Sequence, residues 1–370
     1  MISPRVITGI ALLTTLPSFP TSAYDVTDTL SIDATVTGVY QWGEFSGANV
    51  DDIRRGTLVA DIGVDFHPTE RDRFQFVASV AAGNALNAVS PYAAHPLYAD
   101  DLEDDLRDIN GRGRDHLLIA WYKHTFVFSE DAALGFTGGI IDATAYVDDN
   151  AFANDEVSQF MNEAFVNNTL MVPPSFDTGI AGELDIGPWS LRGVWMRVGD
   201  PDVGKPDKTY DYWGKQVGLR VESAWGEGNY RLGIQGASDD FADPAGARYH
   251  ALFGVGLSMD QELGENFGAF ARLGWQKDDA AIDHDALYSG GIRLDGSLWE
   301  RTDDEAGLGY ARLSGGNGNV RKTDIMEGYI KFRFSEYIDL SLDIQYLDER
   351  LMGQDDPSGF VYGARLNTHF

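Results

Sequence analysis

The stretch "TLSIDATVTGVYQWG", Thr29–Gly43, alternates between apolar and polar side chains along its length. Apolar residues stand at every second position from Leu30 to Trp42, and Ser, Asp, Thr and Gln fill most of the positions between them. A repeat of two residues is typical of a β-strand that has one apolar and one polar face. The stretch therefore predicts an amphipathic strand.

The same repeat continues along the rest of the chain, whereas a helical spacing of apolar residues is not sustained anywhere. We predict sixteen strands, several of which begin or end with Tyr or Trp, as in the aromatic girdles of membrane barrels. In chain order they are Thr29–Gly43, Thr57–Phe66, Arg73–Gly83, Leu117–Phe128, Ala132–Ile141, Gly179–Ile186, Trp189–Val198, Trp213–Trp225, Asn229–Gly236, Tyr249–Met259, Phe267–Gln276, Tyr288–Gly296, Glu305–Arg312, Ile325–Phe334, Ile338–Tyr346 and Gly359–Phe370.

Short and long connections alternate between these strands. Short links such as "SED" at 129–131 and "GP" at 187–188 alternate along the chain with long segments such as 84–116 and 142–178. This asymmetry is typical of a transmembrane β-barrel with short periplasmic turns and long extracellular loops. A periplasmic two-sheet sandwich also alternates, but sandwich strands are shorter and fewer. The pattern favours an all-β fold, a closed 16-stranded antiparallel barrel in the outer membrane of a Gram-negative bacterium.

The composition excludes several other classes of protein. Lys and Arg number 28 against 58 Asp and Glu, so the formal charge of −30 argues against binding to nucleic acid phosphates. Cysteine is absent, which excludes disulfides and thiolate metal sites. The mean hydropathy of −0.24 is compatible with a barrel, because only alternate residues of each strand face lipid.

The first 23 residues differ from the remainder. They carry Arg5 as their one charge, then an apolar stretch, then small residues up to Ala23. This order predicts a secretory signal peptide at 1–23 and a mature barrel domain at 24–370.

The longest connection, Asp142–Thr178, is rich in apolar side chains for a loop. Phe152, Phe160, Met161 and Phe165 lie among acids and amides. Because a sixteen-stranded barrel encloses an aqueous channel, we expect this third loop to fold inward and narrow it. The alternative is a loop packed on a neighbouring subunit.

A family resemblance becomes specific in this loop. "DATAYVDDNAFANDEVSQFMNEAFVNN" at 142–168 resembles a segment of the carbohydrate-selective porins of the OprB family, and the resemblance continues through "DTGIAGELDIGPWSLRGVWM" at 177–196 and "VYGARLNTHF" at 361–370. It implies passive, sugar-preferring diffusion across the outer membrane, with small hydrophilic solutes such as mono- or oligosaccharides as cargo. It also permits a homotrimer.

Two groups of charged residues are the candidates for selecting the solute. The polar faces of the strands carry arginines: Arg192, Arg220, Arg231, Arg272 and Arg293, with Arg333 and Arg365 on later strands. The third loop carries acids: Asp142, Asp148, Asp149, Asp155, Glu156 and Glu163. Guanidinium and carboxylate groups across a constriction can hydrogen-bond vicinal sugar hydroxyls, provided that binding is weak enough to permit exit. The alternative is that the arginines pair with nearby acids and hold the loop in shape.

Other functional classes have weaker support. The chain contains neither HExxH nor GxSxG, so an outer-membrane enzyme would need catalytic residues scattered along the sequence. A structural sleeve for a partner protein would need a lumen that its own third loop leaves open. A general or cation-preferring porin is a further alternative. We expect no cofactor, although "DDNAFANDE" offers calcium-like oxygen ligands without EF-hand spacing. "DDLEDDLRD" at 100–108 predicts a solvated loop, with cation-bridged lipopolysaccharide contact as the alternative.

The final strand, Gly359–Phe370, should close the barrel against the first strand, because an open edge in lipid would leave backbone groups unpaired. Its alternation places Phe360 and Leu366 toward lipid and Arg365 toward water. Phe370 resembles the terminal signal that outer-membrane assembly machinery reads.

Overall fold

The computed structural model describes residues 23–47, 50–170, 173–200, 208–353 and 355–370. Apart from Ala23, the predicted signal peptide lies outside these ranges. In the described ranges, no helix is long and apolar enough to cross a bilayer.

In the described residues, strands account for nearly all of the regular structure, together with three short 3-10 turns and one short helix, α1 (Glu163–Val166). The strands are β1 (Tyr24–Thr27), β2 (Leu30–Ser46), β3 (Ile53–Thr69), β4 (Asp72–Ala82), β5 (Leu117–Ser129), β6 (Ala132–Ile141), β7 (Asp177–Ile186), β8 (Trp189–Gly199), β9 (Thr209–Ser223), β10 (Gly226–Ala237), β11 (Phe241–Ala242), β12 (Tyr249–His250), β13 (Phe253–Glu262), β14 (Phe267–Gln276), β15 (Ala286–Asp295), β16 (Glu305–Ser314), β17 (Val320–Ser335), β18 (Ile338–Leu351) and β19 (Ser358–His369).

Sixteen of these strands close into one antiparallel barrel. Each strand from β2 to β10 pairs with the next one, β10 pairs with β13, and the ladder continues from β13 to β19. β19 then pairs with β2, from Ser358 opposite Ser46 to His369 opposite Thr35. The predicted closed barrel is confirmed. β1 is an additional short strand on β2, and β11 pairs with β12 inside a long loop.

Many strand ends differ from the prediction; β17, for example, begins at Val320 rather than Ile325. At the tenth strand the difference arises because a loop also contains alternating residues. The tenth barrel strand is β13 and begins at Phe253, whereas the sequence suggested Tyr249. Tyr249 and His250 instead belong to the β11–β12 ladder, because a turn in which Asp243 N–H donates to the Arg248 carbonyl at 2.8 Å folds this segment back on itself.

The alternation of side chains separates the two faces of the barrel wall. On β7, Ile180 is 61% exposed on the outside, whereas its neighbour Ala181 is 3% exposed on the inside. The same contrast places Phe360 and Leu366 outside and Arg365 inside, as predicted. An outer band of apolar side chains around a polar interior is the arrangement that a membrane barrel requires.

The described part of the third loop (142–170 and 173–176) folds into the barrel, as predicted. Phe160 and Phe165 are buried there, and the Phe160 ring makes edge contacts with Phe270 and Tyr329 on the wall. The wall accommodates these rings closely, because a Cβ atom on Gly309 would lie 2.7 Å from the Phe165 ring. The loop and the wall therefore form one packed core.

The second loop (83–116) also folds inward, which the sequence analysis did not predict. Within 100–108, Leu102 and Leu106 are buried in the barrel, whereas Asp104 and Arg107 are exposed. The expectation of a fully solvated segment was wrong for this inner face. Leu102 packs in an apolar cluster that contains Met161 of the third loop, and Leu106 packs in another that contains Tyr146 of that loop. The many acids between the two leucines dominate the sequence pattern of the segment.

Candidate functional site

Arg272 on β14 joins the barrel wall to the third loop. Its side chain is fully buried, and its Nε lies 3.1 Å from Oδ1 of Asp148. It also donates hydrogen bonds to the carbonyl oxygens of Phe165 at 3.0 Å and Ala153 at 2.9 Å. A guanidinium group offers five N–H donors, so one side chain can fix three separate points of the loop.

The far side of the third loop is held by β17 and β19. Asn162 N–H donates to the Glu327 carboxylate at 3.0 Å. Arg365 Nη2 donates to the Gln159 carbonyl at 2.9 Å, and Asn367 Nδ2 donates to the Val157 carbonyl at 2.8 Å. These bonds satisfy backbone groups that would otherwise be buried without partners.

The second loop is tied to the same structure. The Pro96 carbonyl accepts from the side-chain amides of Gln41 at 3.0 Å and Gln345 at 2.8 Å, on either side of the closing strand β19. Tyr98 N–H donates to the Met161 carbonyl at 2.7 Å. The two inward loops are therefore joined to each other as well as to the wall.

A cavity of about 880 Å³ lies between the third loop and the inner face of β5–β10. It reaches Ser129 and Pro188 at the short turns, which form the periplasmic side of such a barrel. Seven of the predicted charged residues line it: Asp142, Asp149, Asp155, Glu156, Arg192, Arg220 and Arg231. We call this space the inner cavity.

The three arginines of the inner cavity differ in how firmly they are paired. Arg231 is nearly buried, and its Nε lies 2.9 Å from Asp149 of the third loop. Arg192 lies 2.8 Å from Asp185. Arg220 has a side chain that is 45% exposed and a carboxylate partner, Glu227, at 4.0 Å. Arg220 is thus the one of the three whose guanidinium group is most accessible to a solute.

The other six predicted residues lie outside the lining of the inner cavity: Asp148, Glu163, Arg272, Arg293, Arg333 and Arg365. Asp148 and Arg272 form the buried pair described above, and Arg293 pairs with Glu305 at 3.1 Å and Asp295 at 3.2 Å. Glu163 lies beside a separate cavity among the long loops. The alternation indicated which side chains point inward but not which of them the loop covers.

Uncharged polar residues complete the lining of the inner cavity. Gln216 links the wall to the loop, because its Nε2 donates to Asp149 at 2.9 Å and its Oε1 accepts from Asp148 N–H at 2.8 Å. Asn229 and Gln159 also line the space. The strand alternation places Gln216 and Asn229 on inward faces, but without a charge they did not stand out in the sequence.

Acidic side chains dominate the electrostatics of the inner cavity. Nine Asp and Glu residues line it, against three arginines. Burial, followed by the neighbouring Asp142, raises the pKa of Asp100 to about 7. Burial, followed by Asp155, raises the pKa of Glu156 well above its usual range. The cavity therefore has an excess of negative charge that protonation of these groups would reduce. Among the described residues, no three His, Asp or Glu side chains are placed to hold a metal ion.

Comparisons with known proteins agree with this architecture. A family model described as carbohydrate-selective porin, OprB family, matches residues 63–370. An uncharacterized protein of Aquifex aeolicus (strain VF5) is 31% identical over 297 residues, which cover 79% of this chain and 82% of that protein.

Solved structures resemble the fold. The high-pH structure of Pseudomonas putida OprB has a TM-score of 0.73 at 16% identity, covering 92% of this chain and 94% of that one. The outer-membrane channel DcaP of Acinetobacter baumannii has a TM-score of 0.55 at 10% identity, covering 92% and 97%.

Proposed function

The chain belongs to the OprB family of carbohydrate-selective porins, and we propose that the inner cavity is its sugar-selecting passage. As a member of this family, it is an outer-membrane channel for small solutes. The proposal concerns the residues: a neutral sugar would pass between the arginines of β8–β10 and the acids of the third loop.

One observation supports this assignment above the others. Arg220 faces the cavity with an exposed guanidinium group and only a distant carboxylate partner. Planar guanidinium groups bind paired oxygen atoms, including vicinal hydroxyls, in a bidentate manner. Carboxylates such as Asp155 on the opposite loop can accept hydrogen bonds from the hydroxyl groups. A sugar could then exchange water hydrogen bonds for protein ones at little net cost, which allows both capture and exit.

The experiment is single-channel recording of the purified porin in a planar lipid bilayer. We expect ohmic current steps that glucose or short oligosaccharides partly block, whereas phosphate and amino acids at equal concentration block less. A protein that gives no current steps at all, or steps that no sugar affects, would contradict the proposal.

A second candidate function is conduction that prefers cations. The observation in its favour is the excess of nine acids over three arginines around the inner cavity. A pore lined by carboxylates concentrates cations, and a neutral sugar is not repelled by it. The two functions can therefore coexist in one channel, and reversal potentials separate them from sugar block.

We also propose that residues 1–23 are removed as a signal peptide, and that Phe370 is read by the outer-membrane assembly machinery. Assembly into a homotrimer and contact of the acidic loops with lipopolysaccharide belong to the same proposal. N-terminal sequencing of the mature protein tests the first, and cross-linking in native membranes tests the trimer.

A further inference from the structure

A second cavity, of about 270 Å³, lies among the long loops. Glu163 and Thr169 of the third loop line it, together with His284 of the loop that joins β14 to β15. Its lining comes from the long loops and the adjoining end of β14, whereas the inner cavity reaches the short turns. It therefore opens toward the extracellular side. We call it the outer cavity.

His284 is held in place by a hydrogen-bond chain. Its Nε2 lies 3.1 Å from Thr323 Oγ1, which in turn donates to the Glu349 carboxylate at 2.8 Å. Burial lowers the pKa of His284 to about 4, so the imidazole is neutral at neutral pH. A fixed, neutral ring offers the cavity a hydrogen-bonding group without positive charge.

The other groups around the outer cavity are also suited to a neutral solute. Glu163 Oε2 lies 3.1 Å from His95 Nδ1, which holds this carboxylate in place beside the cavity. Leu170 and Leu252 add apolar surface. Apolar surface with a few fixed polar groups is the usual composition of a small-molecule site.

We propose that the outer cavity is a capture site for a neutral polyhydroxylated solute the size of one sugar unit. The hydroxyl groups would bind His284 and Glu163, and a C–H face of the ring would pack on the two leucines. Asp283 at the rim adds negative charge, which disfavours anionic solutes. This inference depends on the proposed function, since it names a first binding site on the route to the inner cavity.

The absence of cysteine from the chain makes a direct test available. In Ala93→Cys, and separately in Ile282→Cys, both partly exposed residues of the cavity lining, the single thiol is labelled with a maleimide in the folded porin. Asp104→Cys, on an exposed part of the second loop, is the matched control. Each is measured with glucose, with gluconate (the anionic analogue) and with buffer alone.

We expect glucose to slow the labelling of both cavity thiols severalfold and gluconate to have little effect, whereas the control thiol reacts equally fast in all three solutions. Adding His284→Ala should remove the protection. If sugar blocks the current of these variants while neither cavity thiol is protected, the outer cavity is not a capture site. If gluconate protected the thiols as well as glucose does, the site would not be selective for neutral solutes, and that part of the proposal would be wrong. If sugars did not block the current of the porin without substitutions, that result would instead contradict the proposed function itself.

Discussion

The guanidinium group of Arg272 on β14 and the carboxylate of Asp148 on the third loop form a buried pair, with 3.1 Å between Nε and Oδ1. The two residues are 124 positions apart in the sequence. Burying both charges is costly unless they stay paired and hydrogen-bonded, and here the backbone carbonyls of the loop complete the pairing.

Replacing one partner of this pair should loosen the third loop. Arg272→Met leaves Asp148 buried without its cation, and breaking such a pair costs about 3–5 kcal/mol. We expect faster proteolytic cleavage within 142–176 in the folded porin and noisier single-channel currents. The double variant Arg272→Met/Asp148→Leu should recover part of the protection, because the uncompensated charge is gone. A single variant as resistant to protease as the wild type would contradict the prediction.

Arg220→Ala should weaken sugar block without loosening the loop. Its guanidinium group is exposed in the inner cavity and has only a distant partner, so little folding energy depends on it. We expect a severalfold larger sugar concentration for half block in single-channel recordings, with unchanged protease resistance. Arg248→Ala, which replaces an exposed arginine away from the inner cavity, is the matched control. Its sugar concentration for half block should equal that of the wild type. Unchanged block in Arg220→Ala would remove this residue from the site.

Ion selectivity should follow the excess of acids around the inner cavity. In a potassium chloride gradient, we expect a reversal potential of the sign that indicates cation preference. Asp155→Asn should reduce it, because the amide keeps an acceptor oxygen for Val157 N–H but removes the charge. Glu70→Gln, on an exposed short turn, should leave it unchanged. A reversal potential of the opposite sign would contradict the prediction for the wild type.

The contact between the two inward loops should weaken as the pH rises. Burial and Asp142 raise the pKa of Asp100 to about 7 from its ordinary 3.8. The folded porin therefore holds an additional proton between these values, so the stability contribution is complete below pH 3.8 and is lost as the pH rises through 7.

Asp100→Asn keeps a neutral side chain at every pH and should remove this dependence. We expect the Tm of the variant, relative to that of the wild type, to be higher at about pH 8 than at about pH 5. Asp104→Asn, an exposed acid of the same segment, should show no such change. A difference between variant and wild type that is the same at both pH values would refute the assignment.

Deleting Phe370 should impair assembly before it impairs transport. Phe370 N–H donates to the Ala34 carbonyl at 2.9 Å and its carbonyl accepts from Ala34 N–H at 3.0 Å, so it extends the ladder that closes the barrel. We expect a smaller fraction of heat-modifiable, folded barrel on gels, while the molecules that do fold give normal current steps. Phe334→Ala is the control, because Phe334 is 62% exposed and Phe370 59%. Equal yields from both would argue against a special role for the terminal residue.

The barrel could be predicted from the sequence because the same physical constraint acts on every strand. Each strand separates lipid from an aqueous lumen, so apolar and polar side chains must alternate from one residue to the next, as in Thr29–Gly43. Closure follows, since an unpaired edge is too costly in lipid. The start of the tenth strand at Phe253 did not follow from the alternation, because a loop segment like Tyr249–His250 can alternate without joining the wall.

The site could be predicted only in part. Alternation placed both Arg220 and Arg272 on inward faces, but it is the path of the third loop that leaves the first accessible and buries the second. The inward path of the second loop could not be predicted either, because its buried leucines lie within an acidic segment.

The sequence by itself therefore determined the number, order and facing of the strands, because these follow from a local repeat of two residues. Only the tertiary structure decided which charges are open to a solute, because that depends on contacts such as Phe165 against Gly309 and Asp148 against Arg272. Such contacts join residues more than a hundred positions apart, and they depend on shape complementarity that no local pattern records.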